Sequence, residues 1–162
     1  MDKIYRQGAV GALLDEYEKA ISELQICIAD ISDHDLEKVV DTTTTNPDCK
    51  SVQTILTHVV SSAHSYAIYI QTSSGDSALR PAKVLHTTVQ AYIKGLADAF
   101  IFTTTVFKDI KDADLEQFDD AQKMHTNWGQ VYDIEQMMEH AIVHILRHRR
   151  QIERFKIALH KL

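Results

Sequence analysis

The chain is predicted to be all-α, a four-helix bundle with two long inter-helix connections forming one domain over residues 1–162. Three observations predict this class. Glycine and proline are scarce, five and two among 162 residues, which disfavours a loop-rich or all-β chain. Four stretches carry apolar residues at the i, i+3, i+4 spacing of an amphipathic helix. Two of the intervening segments are too long for tight hairpins, as in bundles with crossover connections. A chain of this length can bury one real core.

The first helix is expected from about Gly8 to Ile31, with Leu13, Tyr17, Ala20, Leu24, Ile28 and Ile31 on one face. Asp33 to Lys50 reads as a connection, because four successive threonines before Asn46-Pro47 are poor helix material. Ser51 then caps a second helix that should end before Thr72-Ser-Ser-Gly75. Pro81 suits the first turn of a third helix carrying Val84, Leu85, Val89, Tyr92, Leu96, Phe100 and Phe107. Lys108 to Tyr132 is a second, acidic connection with room for one short helix through Leu115 to Phe118. Asp133 with Gln136 three residues on has the form of a capping box and opens the fourth helix. Both connections exceed what packing requires and could roof the open end of a site; plain surface loops are the equal alternative.

Composition narrows the function. Net charge is −6, from 23 acidic residues against 17 Lys and Arg, which argues against a nucleic-acid partner. No apolar run approaches the ~20 residues of a membrane span, and the first residues include charges but no signal-type apolar region. Cys27 and Cys49 form neither a Cys-x-x-Cys motif nor a disulfide framework, so a reducing, cytoplasmic setting is expected.

The fourth helix carries His140, His144 and His148, each four residues apart. Nine histidines in 162 residues should give only about half of one such pair by chance, and here two follow in succession. A lone His-x3-His is most often a polar stripe on a solvated helix. At ~100° per residue, however, Ile134, Met138, Ala141, Ile145, Ile152 and Leu159 define an apolar centre, and His148 falls roughly 40° from it. His144 lies at the edge of that arc, His140 lies further out, and Arg147 and Arg150 point away. His140 and His148 are about 12 Å apart along the helix rise and cannot share one ion, so His144 and His148 are the inward pair. A catalytic centre of zinc type needs a third protein ligand and an open position. Candidates are His58, His64 and His86. His58 and His64 lie roughly 120° from their helix's apolar centre on opposite sides, and periodicity does not choose between them.

Other residues carry two readings. Arg149 sits within the apolar arc, either as a substrate clamp beside the metal or, with more weight, in a structural ion pair. Tyr69 could line the cavity as a substrate-binding residue, with Tyr66 assigned to the core. Trp128, the single Trp, is expected to plug the end of the bundle rather than stack on substrate. His125 is either an acid/base or a solvated loop residue, and His34, His86 and His160 otherwise read as surface.

Ser51-Val52-x-x-Ile55-Leu56-x-His58-Val59, followed some ninety residues later by His144-x3-His148-Arg149-x-Gln151-Ile152, resembles the DinB/YfiT-like superfamily. These are small four-helix-bundle metalloenzymes named after a DNA-damage-inducible bacterial protein. Arg150 replaces the family's usual Gly, and Arg147 stands where many relatives have a further His. The resemblance implies one ligand on the second helix and two on the fourth, which maps to His58, His144 and His148. It implies a divalent metal ion, with Zn or Ni the leading identities. Relatives with an assigned activity are metal-dependent thiol S-transferases, using thiols such as bacillithiol or mycothiol, or thiol-using isomerases. The resemblance therefore implies transfer of a low-molecular-weight thiol to an electrophilic small molecule. A metal-dependent hydrolase is the next reading, and a non-catalytic metal-binding or stress-response bundle is the reading of a different class. A long-helix bundle of this size can also pair as a homodimer along one helix face.

Overall fold

The computed structural model describes residues 4–73 and 79–160. The fold is mainly helical, with four long helices, one short helix and a two-stranded ribbon among the described residues. The long helices are α1 (Gly8–Ile28), α3 (Val52–Ser73), α4 (Val89–Val106) and α5 (Ile134–Leu159). Between α1 and α3 lies the one-turn α2 (Asp33–Leu36). The ribbon pairs β1 (Met124–His125) with β2 (Val131–Tyr132) in antiparallel register, Met124 opposite Tyr132.

The long helices contact one another in a closed ring, α1 on α5, α5 on α3, α3 on α4 and α4 on α1. Each turns its apolar stripe to the centre. Tyr17 and Leu24 of α1, Ile55 and Ile70 of α3, Leu96 of α4 and Met138 and Ile152 of α5 are all almost fully buried. Two expected caps are formed. Ser51 Oγ accepts from the Thr54 N–H at 3.1 Å and opens α3. Asp133 accepts from the Gln136 N–H at 2.8 Å while Gln136 Oε1 accepts from the Asp133 N–H at 3.1 Å, which opens α5.

Several boundaries differ from expectation. α1 stops at Ile28, three residues early. α3 runs through Thr72 to Ser73, whose hydroxyls turn back onto carbonyls of the preceding turn; Gly75 lies outside the described residues. Pro81 is not in a helix. The third long helix starts only at Val89, capped by Thr88, and residues 79–86 form an irregular segment that leaves Val84 and Leu85 exposed. That segment is tied down through His86, whose carbonyl accepts from Gln53 Nε2–H at 2.9 Å and whose N–H donates to the Tyr92 hydroxyl at 3.0 Å. Proline tolerates a first helical turn but does not create one.

The two connections are more structured than their composition indicates. In the first, Leu36 of α2 is fully buried, and a 3-10 turn at Pro47–Cys49 follows. In the second, the expected helix through Leu115 to Phe118 is absent. Leu115 is buried but Phe118 is 86% exposed, so no amphipathic face exists to hold a helix there. Three 3-10 turns and the ribbon stand in its place. Gly129 closes the ribbon at φ +87, a left-handed conformation that favours glycine.

No described helix is long and apolar enough to cross a membrane.

Candidate metal centre

α5 presents His144 and His148 to the interior because its buried face, Met137, Met138, Ala141, Ile145, Ile152 and Phe155, runs through them. Both imidazoles are 4–5% exposed. His58 projects toward them from the first half of α3, half-buried, with ring centroids 4.9 Å from His144 and 5.1 Å from His148. One ring nitrogen from each of the three lies within 4.8 Å of the other two, and His58 Nε2 meets His144 Nε2 at 2.9 Å. Ligand nitrogens ~2.1 Å from one shared ion stand roughly 3–3.5 Å apart.

The surrounding hydrogen bonds set the tautomers. Asp48 Oδ2 lies 3.3 Å from His58 Nδ1. A carboxylate only accepts, so Nδ1 carries the proton and His58 Nε2 presents a lone pair. Gln151 Oε1 likewise accepts from His148 Nδ1–H at 3.1 Å, which leaves His148 Nε2 unprotonated, buried and without a partner. An imidazole lone pair buried without a donor is costly, and a cation among these three nitrogens would satisfy it. Carboxylate or amide oxygens behind the Nδ1 atoms are the usual outer partners of metal-bound imidazoles. The residues present fit a divalent ion, with His58, His144 and His148 as holders. His144 Nδ1 has no partner in either tautomer.

Burial keeps the cluster uncharged. It pushes His144 down to about 2, reinforced by the neighbouring imidazoles and Arg147. It pushes His148 down to about 4, against the opposing pull of Gln151. His58 is lowered by burial too, partly offset by Asp48. All three are therefore neutral at pH 7, the form that donates to a metal.

Metal-free protein should lose stability in acid. Each folded-state pKa lies below the unfolded value near 6.5, so between those limits the unfolded chain binds more protons. This stability is present above about pH 6.5 and falls as the pH drops toward 4 for His148 and on toward 2 for His144. The urea midpoint of chelator-treated protein should fall between pH 7 and pH 5, and less so in His148→Gln. A midpoint independent of pH in both proteins would contradict the buried neutral cluster.

Beside the cluster opens a cleft of about 460 Å³, walled by His58, His144, His140, Tyr66, Trp128 and Arg80. Trp128 stacks on His140 with centroids 5.6 Å apart and meets Tyr66 edge-on. It is a wall of the histidine cleft, 39% exposed, and not a plug. His140 lines the cleft outside the triad, near the Tyr132 hydroxyl at 3.3 Å. Arg147, expected to point away, is exposed yet lines this cleft, because a long side chain can bend back along the surface of its own helix.

The remaining candidates fall elsewhere. His64 turns to α4, where its ring stacks on Phe102. His86 packs edge-on against Tyr92. His34, His125 and His160 are exposed. Arg149 ion-pairs with Glu23 of α1 and reaches Glu153 at 3.5 Å, and it lines neither this cleft nor the second cleft described below. The Tyr69 hydroxyl accepts from the Asn127 N–H at 2.9 Å, and its ring lies under the Arg80 guanidinium. Tyr69 thus supports the cleft wall from behind. Sequence reasoning missed Asp48 and Gln151 as partners of the histidines. Gln151, three residues after His148 on the same helix, carried a readable signal; Asp48, in a connection, carried none.

Asp48→Asn should weaken metal affinity ~10–100-fold with the fold intact, since it removes the carboxylate that orients His58. Competition titration against a chromogenic chelator measures this, and unchanged affinity would deny Asp48 that role.

The fold and site thus define a mainly helical protein with a three-histidine cluster that could hold a metal ion. No family model matches the chain, and no curated protein matches it.

Proposed function

We propose that the protein is a metal-dependent enzyme with the four-helix-bundle architecture of the DinB/YfiT-like superfamily, transferring a low-molecular-weight thiol to an electrophilic small molecule. The observation that carries this reading is the convergence of three neutral imidazoles, His144 and His148 buried and His58 half-buried, beside an open aromatic cleft. A purely structural metal site would be closed by a fourth protein ligand. Among the described residues, no fourth His, Cys, Asp or Glu joins the cluster.

A divalent ion held by His58, His144 and His148 would supply Lewis acidity that favours the thiolate form of a thiol. The chain's own groups supply the rest. Tyr66 and Trp128 give the electrophile apolar, flat walls, and Arg80 and Arg147 give the cleft a positive rim. His140, lowered by burial and so neutral at pH 7, is the base in the cleft that accepts the thiol proton. The sulfur then forms a bond to the electrophilic carbon. The electron pair of the bond that breaks leaves with the departing group, which takes up a proton, and nothing is oxidised or reduced.

Turnover by metal-loaded protein with a panel of low-molecular-weight thiols and electrophiles tests this. Product should form only with both thiol and metal, and should be lost in His148→Ala. Stoichiometric metal without turnover of any pair would instead favour a non-catalytic metal-binding protein, and product from water without thiol would favour a hydrolase.

A further inference from the structure

The histidine cluster has a second cleft beside it, of about 450 Å³, which shares His58 and Arg147 with the aromatic one. Arg147, Arg150 and Arg154 line it together with Asn46 and Gln151. The three arginines stand at i, i+3 and i+7 on α5 and form one stripe next to His148. No acidic side chain lines the cleft among the described residues, and none of the three forms an ion pair there. Asp41, whose charge reaches Arg154, is held by the Thr43 and Thr44 backbone N–H groups. Asp48 is ion-paired with Lys83 and faces the neutral His58 ring.

Such a concentration of guanidinium groups without an ion pair stands out in a chain of net charge −6. Like charges gathered in one concavity repel one another unless an anion joins them. Guanidinium forks match the oxygens of carboxylates and phosphates, and the Asn46 and Gln151 side chains add neutral polar groups. We propose that this cleft is an anion subsite that holds a carboxylate or phosphate group of one reactant against Arg147, Arg150 and Arg154. The two clefts would then present an anionic reactant and an apolar one to the histidine centre from two sides. Its role as a reactant's subsite rests on the thiol-transfer reading above, whereas anion binding itself does not.

Calorimetric titration of the full chain with succinate and with inorganic phosphate, at constant ionic strength and without added metal, tests the subsite. At least one anion should bind saturably at one site per chain, and the preferred one identifies the group as carboxylate or phosphate. The Arg150→Gln/Arg154→Gln double variant, altered only at exposed positions, should bind it at least ~10-fold more weakly. His140→Ala, altered in the other cleft, should bind it as the unmodified protein does. Absence of saturable binding by either anion, or equal affinity in the double variant, would overturn the subsite. A parallel metal titration separates the two readings. Arginine-dependent anion binding in a protein that takes up no metal would retain the subsite and remove the metal centre.

Discussion

Replacing His148 by Ala should abolish stoichiometric binding of a divalent ion, whereas His140→Ala should leave it largely intact. The two residues sit eight positions apart on one helix, so composition and helix propensity cannot separate them. What separates them is direction. His148 faces the interior at 5% exposure, with Gln151 fixing its tautomer and Nε2 free. His140 is half-buried in the wall of the cleft, against Trp128 and Tyr132. Removing a direct ligand should cost more than the ~10–100-fold typical of an outer partner. Isothermal titration on variants with unchanged helical circular dichroism reads the difference. Equal losses in the two variants would place the ion elsewhere on the stripe.

Chelation should leave a folded protein. The long helices bury a continuous apolar core that runs from Tyr17 and Leu24 through Ile55 and Leu96 to Met138 and Ile152, independent of any ion. This differs from a zinc finger, in which binding energy is folding energy. Metal should then stabilise by mass action, by about 4 kcal/mol at a free concentration 1,000 times the dissociation constant. For a domain of this size that corresponds to a rise in melting temperature on the order of 10 °C. His148→Ala should show no such rise. Helical circular dichroism that collapses on chelation at room temperature would make the ion structural and remove the main support for catalysis.

Much of this was legible in the chain, for identifiable reasons. α5 has a sharp apolar stripe, so angular position alone turned His144 and His148 inward and left His140 at the margin. α3 has neighbours on both sides, α5 and α4, so a histidine 120° from its apolar centre meets a partner either way. His58 meets α5 and His64 meets α4; only motif resemblance favoured His58. The ribbon at Met124–His125 and Val131–Tyr132 has two-residue strands, too short for any alternation to register. Its turn carries Trp128 into the cleft, and the first connection carries Asp48 to His58. Both placements depend on how long connections fold back on the helices, which local patterning does not encode.

One divalent ion held by these three imidazoles is the arrangement on which the proposed chemistry depends. Metal analysis of untagged protein, combined with X-ray absorption at the edge of the metal found, tests it most directly. One ion per chain with three imidazole nitrogens at about 2.0–2.1 Å is the predicted result. Metal-loaded protein that retains less than a stoichiometric ion, or whose ion keeps the same imidazole shell in His58→Ala, would contradict it.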